Sequence, residues 1–349
     1  MMRRVSVRVA RPEFSRQIST RSVTVLLVVL AATTVAIILT TAYGDYSVPL
    51  NRTVEAILGN GDPIDTLVIR DHRLPRVLMC VLVGAALALS GGVFQTLTRN
   101  PLAAPDIIGV TQGAAVVAVW MILRGLPEAV LPVGAFAGAM AALAVVAVLG
   151  VRRDLSMYRL ILIGIGLNTL IGAAVTYLIA RANAVERERL NLAEQWLVGS
   201  TSATTWPKVG IAAGTLALLT PAILSCGRSL NTLQLGDDLG AALGVPIRRL
   251  QLTTVSLAAL LAAVAVSVTG PIGFVAFVSP HIARRLTGTA GVASMPTAMG
   301  VGGLLLLIAD YAAQRVLEPS QLPVGYVTIV LGAPYLLYLL VRGESRMGA

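Results

Sequence analysis

The chain is 349 residues long, 56% hydrophobic and only 13% charged, with a mean hydropathy of +0.81. A water-soluble protein of this size carries roughly 25% charged residues, so a soluble globular fold is excluded and most of the chain must face lipid or other apolar helices. The net charge of +10 would point to nucleic acid only if the arginines formed one basic face. They fall instead before and between apolar runs, as in membrane proteins whose cationic loops stay on one side.

Ten apolar stretches of about the length needed to cross a ~30 Å hydrocarbon core are predicted as helices, at 22–42, 74–97, 107–123, 130–150, 158–181, 207–226, 250–269, 272–285, 297–316 and 324–342. The fold class is therefore all-α: a polytopic membrane protein with one transmembrane domain over 22–342. Arg3, Arg4, Arg8, Arg11, Arg16 and Arg21 make a basic arm over 1–21, and no small-x-small cleavage site follows Leu39, so the first helix is expected to be retained. An even number of spans puts both termini on one side. With the arm cytoplasmic, so are loops 98–106, 151–157 (with Arg152 and Arg153), 227–249 and 286–296, and the tail 343–349. Segments 43–73, 124–129, 182–206, 270–271 and 317–323 then lie outside. The eighth span opens with Gly270-Pro271-Ile272-Gly273, which predicts a broken or re-entrant helix buried in protein. Glycines such as Gly84, Gly91, Gly134, Gly138, Gly302 and Gly303 predict close helix packing.

An energy source is hard to find within the chain. Its only lysine is Lys208, with none of the glycines or the hydroxyl residue of a phosphate-binding loop around it. Asp310 and His281 are the two residues placed for ion coupling inside the membrane. His281, following Pro280 at a helix end, reads as structural. Cys80 and Cys226 lack the spacing of a disulfide framework or zinc site, and no hydrolytic triad or metal constellation is present. No cofactor or metal is expected on this chain. A partner should supply the energy, and the segment from Gly227 to Gln251 is suited to receive it. Asp237 and Asp238 fall at a predicted helix start, where carboxylates favour the helix dipole, and Leu239, Ala242 and Leu243 follow at helical spacing. Arg73 and Arg76, three residues apart at the outer end of the second span, are spaced to share one helical face; snorkelling at the interface is their alternative role. Ser90, Thr96, Asn168 and Thr169 are the small polar residues expected along a pathway for a bulky complex.

Four blocks in order give the chain a family resemblance. They are Arg73-Leu74-Pro75-Arg76 through Gly91-Gly92 to Asn100-Pro101-Leu102-Ala103; Leu235-Gly236-Asp237-Asp238 with Leu243-Gly244-Val245; Gly270-Pro271-Ile272-Gly273 with Pro280-His281-Ile282-Ala283-Arg284; and Leu322-Pro323-Val324-Gly325 with Gly332-Ala333-Pro334. The chain resembles the FecCD-type permeases of ABC importers, which take up iron-siderophore complexes, haem and cobalamin. The resemblance implies a type II ABC importer permease fold in the bacterial cytoplasmic membrane. It also implies a second permease subunit, identical or paralogous, two cytoplasmic ATPases carrying ATP and magnesium, and an extracytoplasmic substrate-binding protein. Leu235, Gly236, Asp237, Asp238, Leu239, Leu243, Gly244 and Val245 are implied to form the ATPase-coupling segment, within 229–247. Arg73 and Arg76 are implied to meet the binding protein. A third family arginine falls at Gln314 here, and Arg315, one residue and about 100° further round the helix, takes its place in that set. Gly240 stands where the family more often has alanine. The expected activity is transport of a ferric siderophore by a non-enzymatic permease. A secondary transporter using Asp310, or the same importer with haem or cobalamin as cargo, is the alternative.

Overall fold

The computed structural model describes residues 4–10, 13–44, 46, 48–151, 157–182, 187–318 and 320–347; Arg152 and Arg153 lie outside them. A two-stranded antiparallel hairpin, β1 (Arg4–Ala10) and β2 (Glu13–Ser19), with Arg4 opposite Ser19, runs without a break into α1 (Thr20–Ala42). Then follow α2 (Leu50–Leu58), α3 (Pro63–Thr66), a π-helical turn at Leu67–Arg73, α4 (Leu74–Thr98), α5 (Val110–Leu123), α6 (Leu131–Val151) and α7 (Met157–Ala180). The second half contains α8 (Arg187–Val198), α9 (Trp206–Ser225), α10 (Gly227–Leu233), α11 (Asp237–Ala242), α12 (Ile247–Thr269), α13 (Val275–Thr287), α14 (Met295–Arg315) and α15 (Val324–Met347).

Each predicted span corresponds to one helix. Among the described residues, seven helices are long and apolar enough to cross a membrane, and α5 and α15 add two shorter apolar ones. The tenth, α13, is the predicted broken span. Its 13 residues cover about 20 Å at 1.5 Å per residue, less than a hydrocarbon core. Gly270–Phe274 leads into it as irregular backbone, with Phe274 left-handed at φ 65 and its ring in the space that a side chain at Gly332 of α15 would fill. The segments predicted as outer loops contain further helices, α2, α3 and α8, too short to register as spans. The π-turn precedes Pro75, whose ring would crowd the carbonyl of Asp71 in regular helix.

The core is built around α4, which is buried along most of its length and packs against α14, α12, α13 and α9. Glycine makes a close crossing possible: a Cβ on Gly84 would strike the carbonyl of Gly302 in α14, and one on Gly302 would strike that of Gly84. Since lipid is as apolar as a leucine, such helices associate through close packing and buried polar contacts.

The principal buried polar contact is at the other end of the same interface, at the face of the molecule that carries α2, α3 and α8. Arg76 of α4 grips Asp310 of α14 with two bonds, Nε to Oδ2 at 2.9 Å and a terminal nitrogen to Oδ1 at 3.0 Å. Its other terminal nitrogen donates to Gln321 Oε1 at 2.8 Å. Thr201 Oγ1 donates to Asp310 Oδ1 at 2.5 Å and Gln314 Nε2 to Oδ2 at 2.8 Å. The side chains of Arg76 and Asp310 are only 13% and 2% exposed. Asp310, a candidate ion carrier, is thus a fixed counter-charge that, with Arg76, ties α4, α14 and two connecting segments together.

Two outcomes follow for stability. Asp310→Ala strands a buried guanidinium and is expected to cost about 3–5 kcal/mol, whereas Arg76→Met/Asp310→Leu recovers most of that loss; thermal melts of the detergent-purified protein measure both. Gly84→Ala is expected to lower the melting temperature sharply. Gly92→Ala, where the nearest atom to the new Cβ is 3.6 Å away, leaves it near wild type.

Candidate functional site: the α10–α11 loop and the opposite face

The predicted docking segment forms two short helices. Gly236 precedes α11 at φ 117, a conformation that favours glycine, and Asp237 and Asp238 occupy the first turn, as the helix dipole prefers. At the other end Val245 N donates to Gly240 O at 3.0 Å and Gly244 N to Ala241 O at 2.9 Å, with Gly244 left-handed at φ 81. This is the paired-bond helix stop that glycine after the last turn makes available. Two glycines therefore set the length of α11 at both ends.

Gly240 is buried on the side facing the protein, its missing Cβ 3.8 Å from the side chains of Leu233 and Ile247. An alanine there would make ordinary contact, so local packing does not demand glycine. On the opposite side Leu239 and Leu243 are four residues apart, which places them on one side of the helix, and they are 57% and 66% exposed. Leu235 is 63% exposed and precedes the helix across Gly236.

The loop is fastened to the bundle at two points. Asp237 pairs with Arg99, the residue that ends α4 in a left-handed conformation at φ 51. Asn231 Oδ1 of α10 accepts from Val292 N at 3.1 Å, in the turn before α14. The tip of the most buried helix and the exposed leucines are thus one short ion pair apart. Arg99 was not singled out from the sequence. A cation straight after a helix and before Asn-Pro was its only signal.

The two proposed outer arginines do not present one exposed cationic face. The Arg73 guanidinium turns back to the end of α1, donating to Thr41 O at 3.0 Å, Ala42 O at 3.3 Å and Tyr46 O at 2.6 Å. The Arg76 guanidinium is taken by Asp310 and Gln321. Spacing alone aligns their Cα positions; burial of the α4 end turns both side chains inward. Arg315 pairs with Glu318 at 2.5 Å and lies over the Tyr311 ring, while Gln314, at the family arginine's position, sits on Asp310. Arg52, Arg70, Arg124 and Arg181 are exposed arginines on this face that the sequence reading did not select.

The proposed pathway residues divide. Ser90 and Thr96 are buried within α4 contacts, with Ser90 Oγ donating to Ala258 O at 2.7 Å and Thr96 Oγ1 to Gly92 O at 2.7 Å. They hold helices together and do not line an opening of this chain, because hydroxyls on so buried a helix must find carbonyls. Asn168 and Thr169 lie on α7, whose side is largely exposed; Asn168 Nδ2 donates to Asp106 O at 2.8 Å and Thr169 Oγ1 to Ile165 O at 3.0 Å. His281 packs edge-on against Tyr335 of α15 at 5.8 Å, and neither of its ring nitrogens has a hydrogen-bond partner among the described residues. Among the described residues no group of three His, Cys, Asp or Glu side chains is placed to hold a metal ion.

Comparison with known proteins gives this architecture a lineage. Residues 30–342 match the model of the FecCD transport family. The chain is 38% identical over 330 residues to the ferric enterobactin transport system permease protein FepG of Escherichia coli K12, covering 94% of this chain and 98% of that protein. It is 38% identical over 285 residues to the hemin transport system permease protein HmuU of Yersinia pestis, covering 79% and 84%. A solved metal-chelate type ABC transporter in an inward-facing conformation superposes with a TM-score of 0.82 at 31% identity, over 91% of this chain and 99% of that one. The chain belongs to the FecCD transport family, as a multi-pass membrane permease of an ABC importer.

Proposed function

We propose that this permease carries a ferric siderophore across the bacterial cytoplasmic membrane, driven by two ATPase subunits that dock on α11. The observation that carries this reading is the pair of exposed leucines 239 and 243 on a glycine-bounded helix, with exposed Leu235 just before it, joined to α4 through Arg99 and Asp237. A solvent-exposed apolar patch on a short, fixed helix is a surface for a protein partner, and it occupies the segment that corresponds to the coupling helix of the family. The α11 face is then cytoplasmic, together with the basic arm 1–21 and the tail 343–349, as the distribution of arginines favours.

The largely exposed, apolar sides of α7 and α15, with Leu162, Ile165, Leu170, Tyr326, Val330 and Leu337, are suited to a second permease subunit, with the pathway between the two. An extracytoplasmic binding protein would deliver the cargo to the opposite face. There Arg52, Arg70 and Arg124 supply exposed positive charge, and Arg73 and Arg76 hold the platform beneath them. Siderophore is favoured as cargo by the first two named relatives found, FepG and the probable siderophore permease YfhA of Bacillus subtilis, 34% identical over 329 residues. A bulky chelate that keeps its own metal needs no ligands from the channel. The engagement of Asp310 by Arg76 weighs against an ion-coupled carrier.

Affinity capture of the tagged chain from native membranes, followed by mass spectrometry, tests the assembly. A P-loop ATPase should be retained and should be lost in Leu239→Glu/Leu243→Glu, which inserts and melts like wild type. A chain that purifies alone and still supports uptake would overturn the reading. For the cargo, a strain lacking this gene should lose uptake of iron-55 presented as ferric siderophore and keep that of haem and cobalamin; the reverse pattern would reassign it.

A further inference from the structure

α6 and α9 both pack on α12, and at their ends on the α8 face they frame a cavity of about 300 Å³. Ile122, Leu131, Leu192 and Trp196 give it apolar lining, while Lys208, Arg189 and Glu128 bring charge to it. Lys208 is the only lysine in 349 residues. It is half-buried in the first turn of α9, where its Nζ donates to Ala203 O at 2.8 Å. The Arg189 guanidinium from α8 is anchored on Leu123 O at 3.0 Å and lies in the space a Cβ on Gly125 would occupy. Glu128 acts electrostatically on Lys208, so the three charges sum to a single positive one. From the mouth of the cavity the outer surfaces of α6 and α9 carry exposed apolar residues along the membrane direction, including Val133, Ile211 and Leu218.

Cations beside exposed apolar surface, at the ends of spans where they meet water, match an amphipathic anion. We propose that the cavity seats one anionic glycerophospholipid. Its phosphodiester is held by Lys208 and Arg189, and an acyl chain lies along the exposed apolar surface of α6 and α9. The net charge of +1 matches one phosphodiester and disfavours a phosphomonoester or a diphosphate. The cavity also reaches Ser267, Val268 and Thr269 at the end of α12 and Ser200 beside α8. Bound lipid would therefore brace the junction where Ser200 N donates to Thr269 O at 2.7 Å.

Native mass spectrometry of the purified, delipidated transporter, titrated with dioleoylphosphatidylglycerol or dioleoylphosphatidylcholine, tests this site. One phosphatidylglycerol per chain should survive detergent removal, with phosphatidylcholine held markedly less. Lys208→Met is expected to weaken retention about fivefold, the effect of one cation near a lipid surface. Lys208→Arg should preserve retention, and Arg52→Met, on the same face outside the cavity, should not alter it. Glu128→Gln should tighten retention, a change opposite in sign to any loss caused by poor folding. Equal retention of the two lipids, equal effects of Lys208→Met and Arg52→Met, weaker retention in Glu128→Gln, or displacement of the lipid by a ferric siderophore would each overturn the assignment.

Discussion

Hydrocarbon gives a peptide group nothing to hydrogen-bond, and the rest of this structure follows from that constraint. Helices satisfy their own backbone, so apolar stretches become helices whatever their local propensities. The one span that breaks this rule, α13 with its irregular lead-in Gly270–Phe274, is placed among α4, α14 and α15, where protein substitutes for water. Because lipid does not drive helices together, their cohesion depends on how closely backbones approach. The reciprocal fit of Gly84 and Gly302 supplies that approach at one level of the α4–α14 interface. The bidentate grip of Arg76 on Asp310 secures another.

The division of labour between the two faces has a physical basis. On the α2–α3–α8 face, Arg73 and Arg76 are turned inward and paired, producing a braced platform. On the α11 face, apolar groups are turned outward and a single exposed ion pair, Arg99 with Asp237, connects them to the core. Screening by salt and the entropy of two long side chains make such a pair weak. Its value lies in geometry: it specifies which way α11 sits relative to α4.

Much of this was legible in the sequence, and the parts that were not share a cause. The ten spans were readable because apolar length is a local property, and the broken eighth span because Gly-Pro-Ile-Gly is a local breaker. The α11 segment was readable because Gly236, Asp237 and Gly244 are boundary residues with backbone reasons to be there. By contrast, Arg76 and Asp310 are 234 residues apart, and no pattern near either announces the other. The inward turn of Arg73, the burial of Ser90 and Thr96, and the use of Gln314 as a donor to Asp310 are likewise products of tertiary packing. Short helices such as α2 and α8 were missed because amphipathic segments lying on a face lack the length that marks a span.

The left-handed geometry of Arg99 carries one last consequence. An L-residue in that conformation sits roughly 1–2 kcal/mol above its helical minimum, and here the side chain that stops α4 is also the one that meets α11. The surface pair is too weak to hold that geometry by itself; the following Asn100-Pro101, which disfavours helical backbone at Asn100, keeps α4 from running on. The most buried helix therefore ends at a locally fixed point, and α11 meets it there through a charge whose position the backbone has already chosen.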